Sequence, residues 1–334
     1  MLEHYLEWYR YTLEAFDYPV YNVRDFSDTE KVIVAGMGGS GIVGDMLATI
    51  ASDLGNIAVH VFKDFYLPKK LVDSKTFVLS ISYSGNTLET ISSTAVALEF
   101  GAKVGVVASG GRLLDIAKTR RLPYTTVRSG LVPRLALPMM LVAAIKLLSN
   151  CSVNVIPLQT LRSSVEILSK INEASSVARE IANVVLQSSI PTIVATTRYQ
   201  ALALRFKNEL NENSKIPVKV EIIPELFHND IVGWEASKLK DVVVLIDSDI
   251  DYENILVNFY EDYLRSLSIK TYILKLIGNI IERSLYGSLI AGIASVYIAQ
   301  RRGLDPLTTK SIAMYKNVLK NLETEVFKYY NVST

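Results

Sequence analysis

The sequence is poor in side chains that bind metals or form disulfides. Its 334 residues include one cysteine, Cys151, and three scattered histidines, His4, His60 and His228. One cysteine cannot form an intramolecular disulfide, and so few scattered ligands do not make a zinc site. The first residues, MLEHYLEWYRYTLEAF, lack the basic and apolar regions of a secretory signal. We therefore expect a cytoplasmic globular protein that needs no metal.

The sequence also lacks an excess of charge of either sign. Lys and Arg total 35 against 34 Asp and Glu, a net charge of +1, and no polybasic segment offers an electrostatic basis for binding nucleic acid or an anionic membrane. The uncharged segment from Ser284 to Gln300 falls just short of a membrane span and contains Ser, Gly, Tyr and Gln. We expect it to form a buried helix, with neither nucleic acid nor a membrane as partner.

What the sequence does contain is an alternation of short apolar strands with helices. In the first half it predicts helices near 2–16, 42–51, 87–100 and 135–148 and strands at 31–35, 58–62, 76–81 and 103–108. In the second half it predicts helices near 161–187, 199–211, 252–266 and 310–328 and strands at 192–195, 218–223, 242–246 and 270–274. This pattern indicates an α/β fold of two similar units, each a mostly parallel sheet flanked by helices. The polar, proline-containing segment 149–157 is the predicted boundary, which divides the chain into 1–150 and 151–334.

A glycine loop follows the first predicted strand. Residues 36–41 read Gly-Met-Gly-Gly-Ser-Gly, which satisfies the G-x-G-x-x-G pattern of a dinucleotide-binding turn. Asp64 follows the next strand, where such a protein places the acid that binds ribose. A NAD-binding dehydrogenase is therefore one possible interpretation. Ser40 within the loop, together with a second loop after the strand at 76–81, argues against it, because a dinucleotide needs no such cluster of hydroxyls.

A second loop, with a different composition, follows the strand at 76–81. Residues 82–87 read Ser-Tyr-Ser-Gly-Asn-Thr and lead into a helix. Hydroxyl groups, close backbone approach at glycine and the positive end of a helix dipole together favour a bound phosphate. The alternative is a serine-rich turn in which Thr87 merely caps the helix. Two such loops at the carboxyl ends of parallel strands favour a ligand site.

Together these motifs resemble a known family. The loops at 36–41 and 82–87 are similar to those of the sugar isomerase (SIS) domain, a phosphosugar-binding α/β unit. Asn-Glu-Asn (211–213), Pro-Glu-Leu-Phe-His-Asn (224–229) and Asp-Pro-Leu-Thr-Thr (305–309) resemble motifs of the archaeal bifunctional phosphoglucose/phosphomannose isomerases. The resemblance covers nearly the whole chain and implies two SIS-type subdomains and a homodimer with a shared active site.

The resemblance also implies a reaction. Fructose 6-phosphate would be converted reversibly into glucose 6-phosphate or mannose 6-phosphate through a cis-enediol, with no metal or other cofactor. Two alternatives remain beside it: the NAD-binding dehydrogenase, and a phosphosugar-binding regulator without catalytic activity. The regulator is disfavoured because the sequence offers no basic face for DNA.

Isomerisation requires a base that moves a proton between C1 and C2. Glu212 lies near the C-terminal end of its predicted helix, where the helix dipole disfavours the carboxylate anion, and the resemblance aligns it with the family's base. Glu209, one turn earlier, is a possible competitor. The alternative for Glu212 is a solvated carboxylate at a helix end, but Asn211 and Asn213 on either side are uncommon inside helices.

Further catalytic positions come mainly from the resemblance. Arg134, between two prolines, matches the arginine that stabilises the enediolate; the alternative is a surface arginine paired with an acid. His228, in a loop, matches the partner-supplied histidine of ring opening, although most such histidines lie on the surface without a catalytic role. Lys316 matches the ring-opening lysine, or belongs to a solvated stripe of lysines. Thr309 matches the position that leaves room for rotation about C2–C3.

The remaining candidates are positions for substrate binding. Four hydroxyl residues would hold the phosphate: Ser40, Ser82, Ser84 and Thr87. Two glycines, Gly38 and Gly39, would leave space beside the sugar.

Overall fold

The computed structural model describes residues 1–237 and 241–329. The strands are β1 (Val20–Tyr21), β2 (Lys31–Ala35), β3 (Ala58–Phe62), β4 (Thr76–Ile81), β5 (Lys103–Ala108), β6 (Tyr124–Thr126), β7 (Thr192–Thr196), β8 (Lys219–Ile223), β9 (Val242–Ile246) and β10 (Lys270–Leu274). The helices are α1 (Leu2–Leu6), α2 (Trp8–Ala15), α3 (Gly38–Leu54), α4 (Leu88–Glu99), α5 (Gly111–Thr119), α6 (Leu137–Asn150), α7 (Leu158–Val165), α8 (Ile171–Val185), α9 (Gln200–Glu209), α10 (Asp251–Ser266), α11 (Ile280–Arg301) and α12 (Lys310–Tyr329).

The chain divides into two compact units. One, here called the six-stranded unit, comprises 8–163 and the chain from Thr309 onward; the other, the four-stranded unit, comprises 1–7 and 164–308. The predicted division at residue 150 differs from these units in three places. The boundary lies after Ser163, the first seven residues belong with the four-stranded unit, and α12 belongs with the six-stranded unit.

The six-stranded unit is built on a sheet with the order β1-β6-β5-β4-β2-β3. All neighbouring strands run parallel except β1, which is antiparallel to β6. All six residues of β4 are buried, as a central strand covered by helices on both faces requires. Ile33, Val78 and Val106 join one hydrophobic cluster with residues of α4 and α5.

The four-stranded unit has a fully parallel sheet with the order β10-β9-β7-β8. The central strands β7 and β9 are buried along their whole length, and Tyr260 and Leu264 of α10 pack on this sheet. Both units therefore have the predicted α/β architecture.

The uncharged segment at 284–300 forms most of α11, as predicted, and nearly all its residues are buried. Asn279 caps this helix in a reciprocal capping box with Glu282. Among the described residues, no helix combines the length and apolar content needed to cross a membrane.

Three of the predicted helices differ from the helices in the structure, in ways that hydrophobic periodicity cannot reveal. The helix near 2–16 is interrupted at Glu7, where the chain leaves one unit for the other. The helix near 161–187 is two helices separated by a 3₁₀ turn, and the helix near 199–211 ends in a π-helical turn over Leu210–Ser214. The sequence did not predict β1, β6 or α5.

Candidate active site

Two loops lie side by side at the carboxyl edge of the six-stranded sheet, because the strands that precede them, β2 and β4, are neighbours. Residues 36–41 run from the end of β2 into the first turn of α3, which begins at Gly38 and thus earlier than the predicted 42, and the loop 82–87 leads into α4. The carboxyl edge of a parallel sheet is where ligands bind in open α/β folds. The two loops therefore lie close together, as the sequence predicted.

Hydrogen bonds join the loops through their hydroxyl groups. The backbone N–H of Tyr83 donates to Ser40 Oγ over 3.1 Å. Ser82 Oγ accepts from the N–H of Gly85 over 3.1 Å and donates to Thr87 Oγ1 over 2.9 Å. Ser84 is exposed, and its Oγ accepts from the N–H of Asn86 over 3.3 Å. The hydroxyls of Ser82 and Thr87 are thus bonded to each other, and the Ser40 hydroxyl is bonded to the backbone of the residue that follows Ser82.

The start of α4 bears on the alternative in which Thr87 caps the helix. Thr87 is the N-cap residue, but its side chain makes no capping hydrogen bond to the helix backbone. Its hydroxyl is held instead by Ser82. Thr87 therefore occupies the cap position of the alternative interpretation without making a side-chain capping hydrogen bond.

Gly85 permits the close approach of a third segment. It has a φ of +68°, and a Cβ atom there would lie 1.7 Å from the carbonyl oxygen of Gly110. The carbonyl of Gly85 accepts from the N–H of Leu113 over 2.8 Å, and the carbonyl of Tyr83 accepts from that of Ser109 over 2.9 Å. The loop 82–87 is therefore interlocked with the start of α5.

Arg134 lies in a 3₁₀ turn over Pro133–Ala136 and is 5% exposed, so the surface alternative is wrong. A Cβ atom on Gly39 would lie 3.0 Å from the backbone nitrogen of Arg134. The glycine loop therefore packs directly against this turn. The phenol of Tyr83 adds a second connection, since it donates to the carbonyl of Arg128 over 2.9 Å and accepts from the N–H of Leu131 over 2.8 Å.

Lys316 and Thr309 belong to α12 and the residue before it. The Tyr315 hydroxyl donates to Glu89 Oε1 over 2.7 Å, so α12 lies against the first turn of α4. Burial and the neighbouring Glu89 raise the pKa of Tyr315 to about 12, which keeps it a neutral donor. Lys316 is exposed beside this contact, and half-buried Thr309 accepts from the N–H of Ala313.

Glu212 lies in the π-helical turn that ends α9 and is half-buried. Such turns are rare and occur often at functional sites. The competing carboxylate, Glu209, is fully buried, is paired with Arg205, and accepts from the Tyr5 hydroxyl over 2.6 Å. Glu209 is therefore committed to internal contacts, whereas Glu212 is only half-buried.

His228 ends a short 3₁₀ turn over Glu225–His228 that follows β8. Buried Leu226 anchors this turn in the core of the four-stranded unit, and His228 itself is exposed. The turn is further held by Asn229, whose amide donates to Glu225 over 2.8 Å. The exposed imidazole is thus presented on a fixed segment.

Two observations concern the alternatives with cofactors. The Asp64 carboxylate accepts from the N–H of Phe65 over 2.7 Å and is exposed. Over residues 1–237 and 241–329, no three His, Cys, Asp or Glu side chains are grouped as ligands for a metal ion.

The sequence did not single out two sets of residues that the site depends on. Tyr83 ties the two loops to the Arg134 segment, and its only sequence signal is an aromatic between two serines. Tyr5 and Arg205 hold Glu209, which the sequence offered only as a competitor of Glu212, and Tyr5 is brought there by the tertiary structure alone because it is distant in sequence.

Comparisons with known proteins agree with this geometry. The SIS domain matches residues 25–112, and the bacterial phospho-glucose isomerase C-terminal SIS domain matches residues 170–319. The C-terminal domain of glucosamine-fructose-6-phosphate aminotransferase from Francisella tularensis shares the fold. It aligns with a TM-score of 0.68 and 15% identity over 91% of this chain and 97% of that one.

Two relatives are closer in sequence. D-glucosamine-6-phosphate 4-epimerase from Sulfolobus acidocaldarius is 32% identical over 66% of this chain and 69% of its own length. Bifunctional phosphoglucose/phosphomannose isomerase from Aquifex aeolicus is 32% identical over 89% of this chain and 92% of its own length. By this match over nearly its whole length, the chain belongs to the bifunctional phosphoglucose/phosphomannose isomerase family.

Proposed function

We propose that this protein interconverts fructose 6-phosphate with glucose 6-phosphate and with mannose 6-phosphate through a cis-enediol, without a metal or nucleotide. The observation that carries the proposal is the joined pair of hydroxyl-rich loops at the carboxyl edge of β2 and β4. The match to the isomerase from Aquifex aeolicus supports the choice of substrates.

The two loops are suited to the phosphate group. Ser40, Ser82, Ser84 and Thr87 offer hydroxyl donors, and the N-termini of α3 and α4 offer backbone N–H groups with the positive end of each helix dipole. These neutral donors bind an anion without a permanently bound counter-ion. Gly38 and Gly39 leave space beside the loop for the sugar.

In this proposal Glu212 moves the proton. Its carboxylate removes the proton from C2 of the aldose and returns it to C1, and a cis-enediol lets one carboxylate serve both carbons on the same face. Arg134 stabilises the negative charge that develops on the enediolate oxygens, because a guanidinium holds its charge without exchanging protons. Arg134 is already largely desolvated, which strengthens such an interaction.

Ring opening precedes proton transfer, and we assign it to His228 and Lys316. Both are exposed, so both are accessible to a substrate or to a second subunit. A homodimer in which His228 acts on the partner's substrate fits the exposed position of that turn. Thr309 would leave room for the C2–C3 rotation that admits both glucose and mannose configurations.

The test is a coupled assay of the purified protein with fructose 6-phosphate in the presence of EDTA, scoring glucose 6-phosphate and mannose 6-phosphate separately. We expect both products, and we expect Glu212→Gln to lose both together by at least about a hundredfold, the usual contribution of general base catalysis. Glu235→Gln, an exposed carboxylate of the same unit, is the matched control and should retain full activity.

Two outcomes would redirect the proposal. Glucose 6-phosphate alone would restrict the enzyme to one aldose, and binding of fructose 6-phosphate without turnover would favour the regulator. D-glucosamine 6-phosphate is the second substrate to assay, because one relative of comparable identity is named for its 4-epimerisation. Epimerisation in place of isomerisation would overturn the proposal.

A further inference from the structure

We infer that Tyr5, Glu209 and Asn213 form a positioning network that fixes the π-helical turn carrying Glu212. Tyr5 would then influence proton transfer from the N-terminal helix without touching the substrate. The inference rests on the proposed function, in which Glu212 is the proton-transfer group.

The network converges on the carboxylate of Glu209. The Tyr5 hydroxyl donates to Glu209 Oε2 over 2.6 Å, and the Asn213 amide donates to the same oxygen over 2.7 Å. Arg205, one turn earlier on α9, forms an ion pair with the other oxygen, and all four residues are essentially inaccessible to solvent. Burial and the negative charge of Glu209 raise the pKa of Tyr5 well above its ordinary value, so Tyr5 remains a donor.

The same amide ties the turn to α11. Asn213 Nδ2 lies 2.8 Å from Ser295 Oγ, and Ser214 Oγ donates to the carbonyl of Ser295 over 2.8 Å. Arg302 donates to the carbonyl of Ser214 over 2.7 Å, and Lys215 ends the turn with a φ of +57°. The backbone immediately after Glu212 is therefore held by side chains from α1, α9 and α11.

The absence of a side chain at Gly292 of α11 makes room for the Tyr5 ring. A Cβ atom on Gly292 would lie 2.2 Å from Cε1 of Tyr5, so the ring rests directly on the helix backbone. This contact leaves the ring little freedom to shift while its hydroxyl bonds to Glu209. The position of the hydroxyl is set by shape as well as by hydrogen bonding.

The arrangement has a kinetic consequence. Glu212 and Asn213 are adjacent, so a loosened Asn213 changes where the Glu212 carboxylate stands relative to its proton. A misplacement of about 1 Å can cost up to about a hundredfold in rate. The loss should fall on kcat rather than KM, because proton transfer occurs after the phosphate is bound.

The experiment compares Tyr5→Phe with Tyr260→Phe in the full-length protein. Tyr260 is an equally buried tyrosine of the same unit whose hydroxyl donates to the carboxylate of Glu221 over 2.6 Å. We expect Tyr5→Phe to lower kcat roughly tenfold with KM within about twofold. We also expect it to raise the isotope effect on kcat with glucose 6-phosphate deuterated at C2. Tyr260→Phe should leave both quantities unchanged.

Equal kcat values and equal isotope effects for wild type, Tyr5→Phe and Tyr260→Phe would overturn the inference. If Tyr5→Phe does not fold, Ser295→Ala removes one partner of Asn213 and carries the same expectation. The proposed function fails separately, if wild type shows no isomerisation or if Glu212→Gln retains it. An active wild type with an inactive Glu212→Gln and a normal Tyr5→Phe would refute only the network.

Discussion

Replacing Gly85 with alanine should disrupt the loop 82–87 beyond what its backbone conformation alone explains. Gly101 provides the comparison, since its φ of +73° is close to the +68° of Gly85 and no atom lies within 4 Å of a Cβ built there. Both glycines belong to the six-stranded unit. The left-handed conformation alone costs an alanine about 1 kcal/mol, so Gly101→Ala should lose about that much unfolding free energy.

Gly85→Ala carries an additional cost. Its Cβ atom would lie 1.7 Å from the carbonyl oxygen of Gly110. The loop must therefore move away from Gly110 by more than 1 Å to restore an ordinary contact distance. That movement breaks the hydrogen bonds from Leu113 N–H to Gly85 and from Ser109 N–H to Tyr83. At about 1 kcal/mol for each bond, the total loss is about 3 kcal/mol.

Urea unfolding followed by the fluorescence of Trp8 measures this difference. Trp8 is buried in the six-stranded unit, and Trp234→Phe as a common background removes the other tryptophan. The two alanine variants should differ by about 2 kcal/mol, roughly thirtyfold in the unfolding equilibrium constant. Gly85→Ala should also raise KM for fructose 6-phosphate, whereas Gly101→Ala should not. Equal destabilisation by both substitutions would refute the argument from close approach.

Two further predictions concern the stability of the four-stranded unit. Burial alone would raise the pKa of Asp249, but hydrogen bonds from Arg198 and Tyr199 outweigh burial and hold it below its usual value. Asp249 therefore stabilises the fold above about pH 4 and loses that contribution as the pH falls through its folded pKa. The difference in urea midpoint between wild type and Asp249→Asn should be largest near neutrality and shrink below about pH 4; a constant difference would contradict this. Asn279→Ala, which removes the cap of α11 and its partnership with Glu282, should cost about 1 kcal/mol in urea unfolding followed by the fluorescence of Trp234, which lies in the core of this unit. An unchanged midpoint would mean that the cap is dispensable.

Much of the fold could be predicted because its signals are local. Strands such as β2, β4 and β9 are continuous apolar runs, and the structure gives them the predicted bounds. The short strands β1 and β6 carry no such run, since they have two and three residues. The helix near 2–16 was predicted as one element because periodicity continues across Glu7, where the chain nevertheless changes units.

Some features of the candidate site could likewise be predicted from the sequence, and others could not. The hydroxyl loops were recognisable because glycine and serine sit together directly after strands, and the structure confirms that they meet. The surface alternative for Arg134 could not be rejected from sequence, because burial of a guanidinium depends on what packs around it. The roles of Glu212, His228, Lys316 and Thr309 remain proposals.

The sequence by itself determined where the longer apolar strands lie, which loops carry hydroxyl groups, and which family the chain belongs to, because each depends on residues close together in the chain. Only the tertiary structure decided how Tyr5 reaches Glu209 across 204 positions and how Gly85 comes to lie against Gly110. Such contacts have no sequence signature, since hydrogen-bond geometry and close packing depend on distance in space.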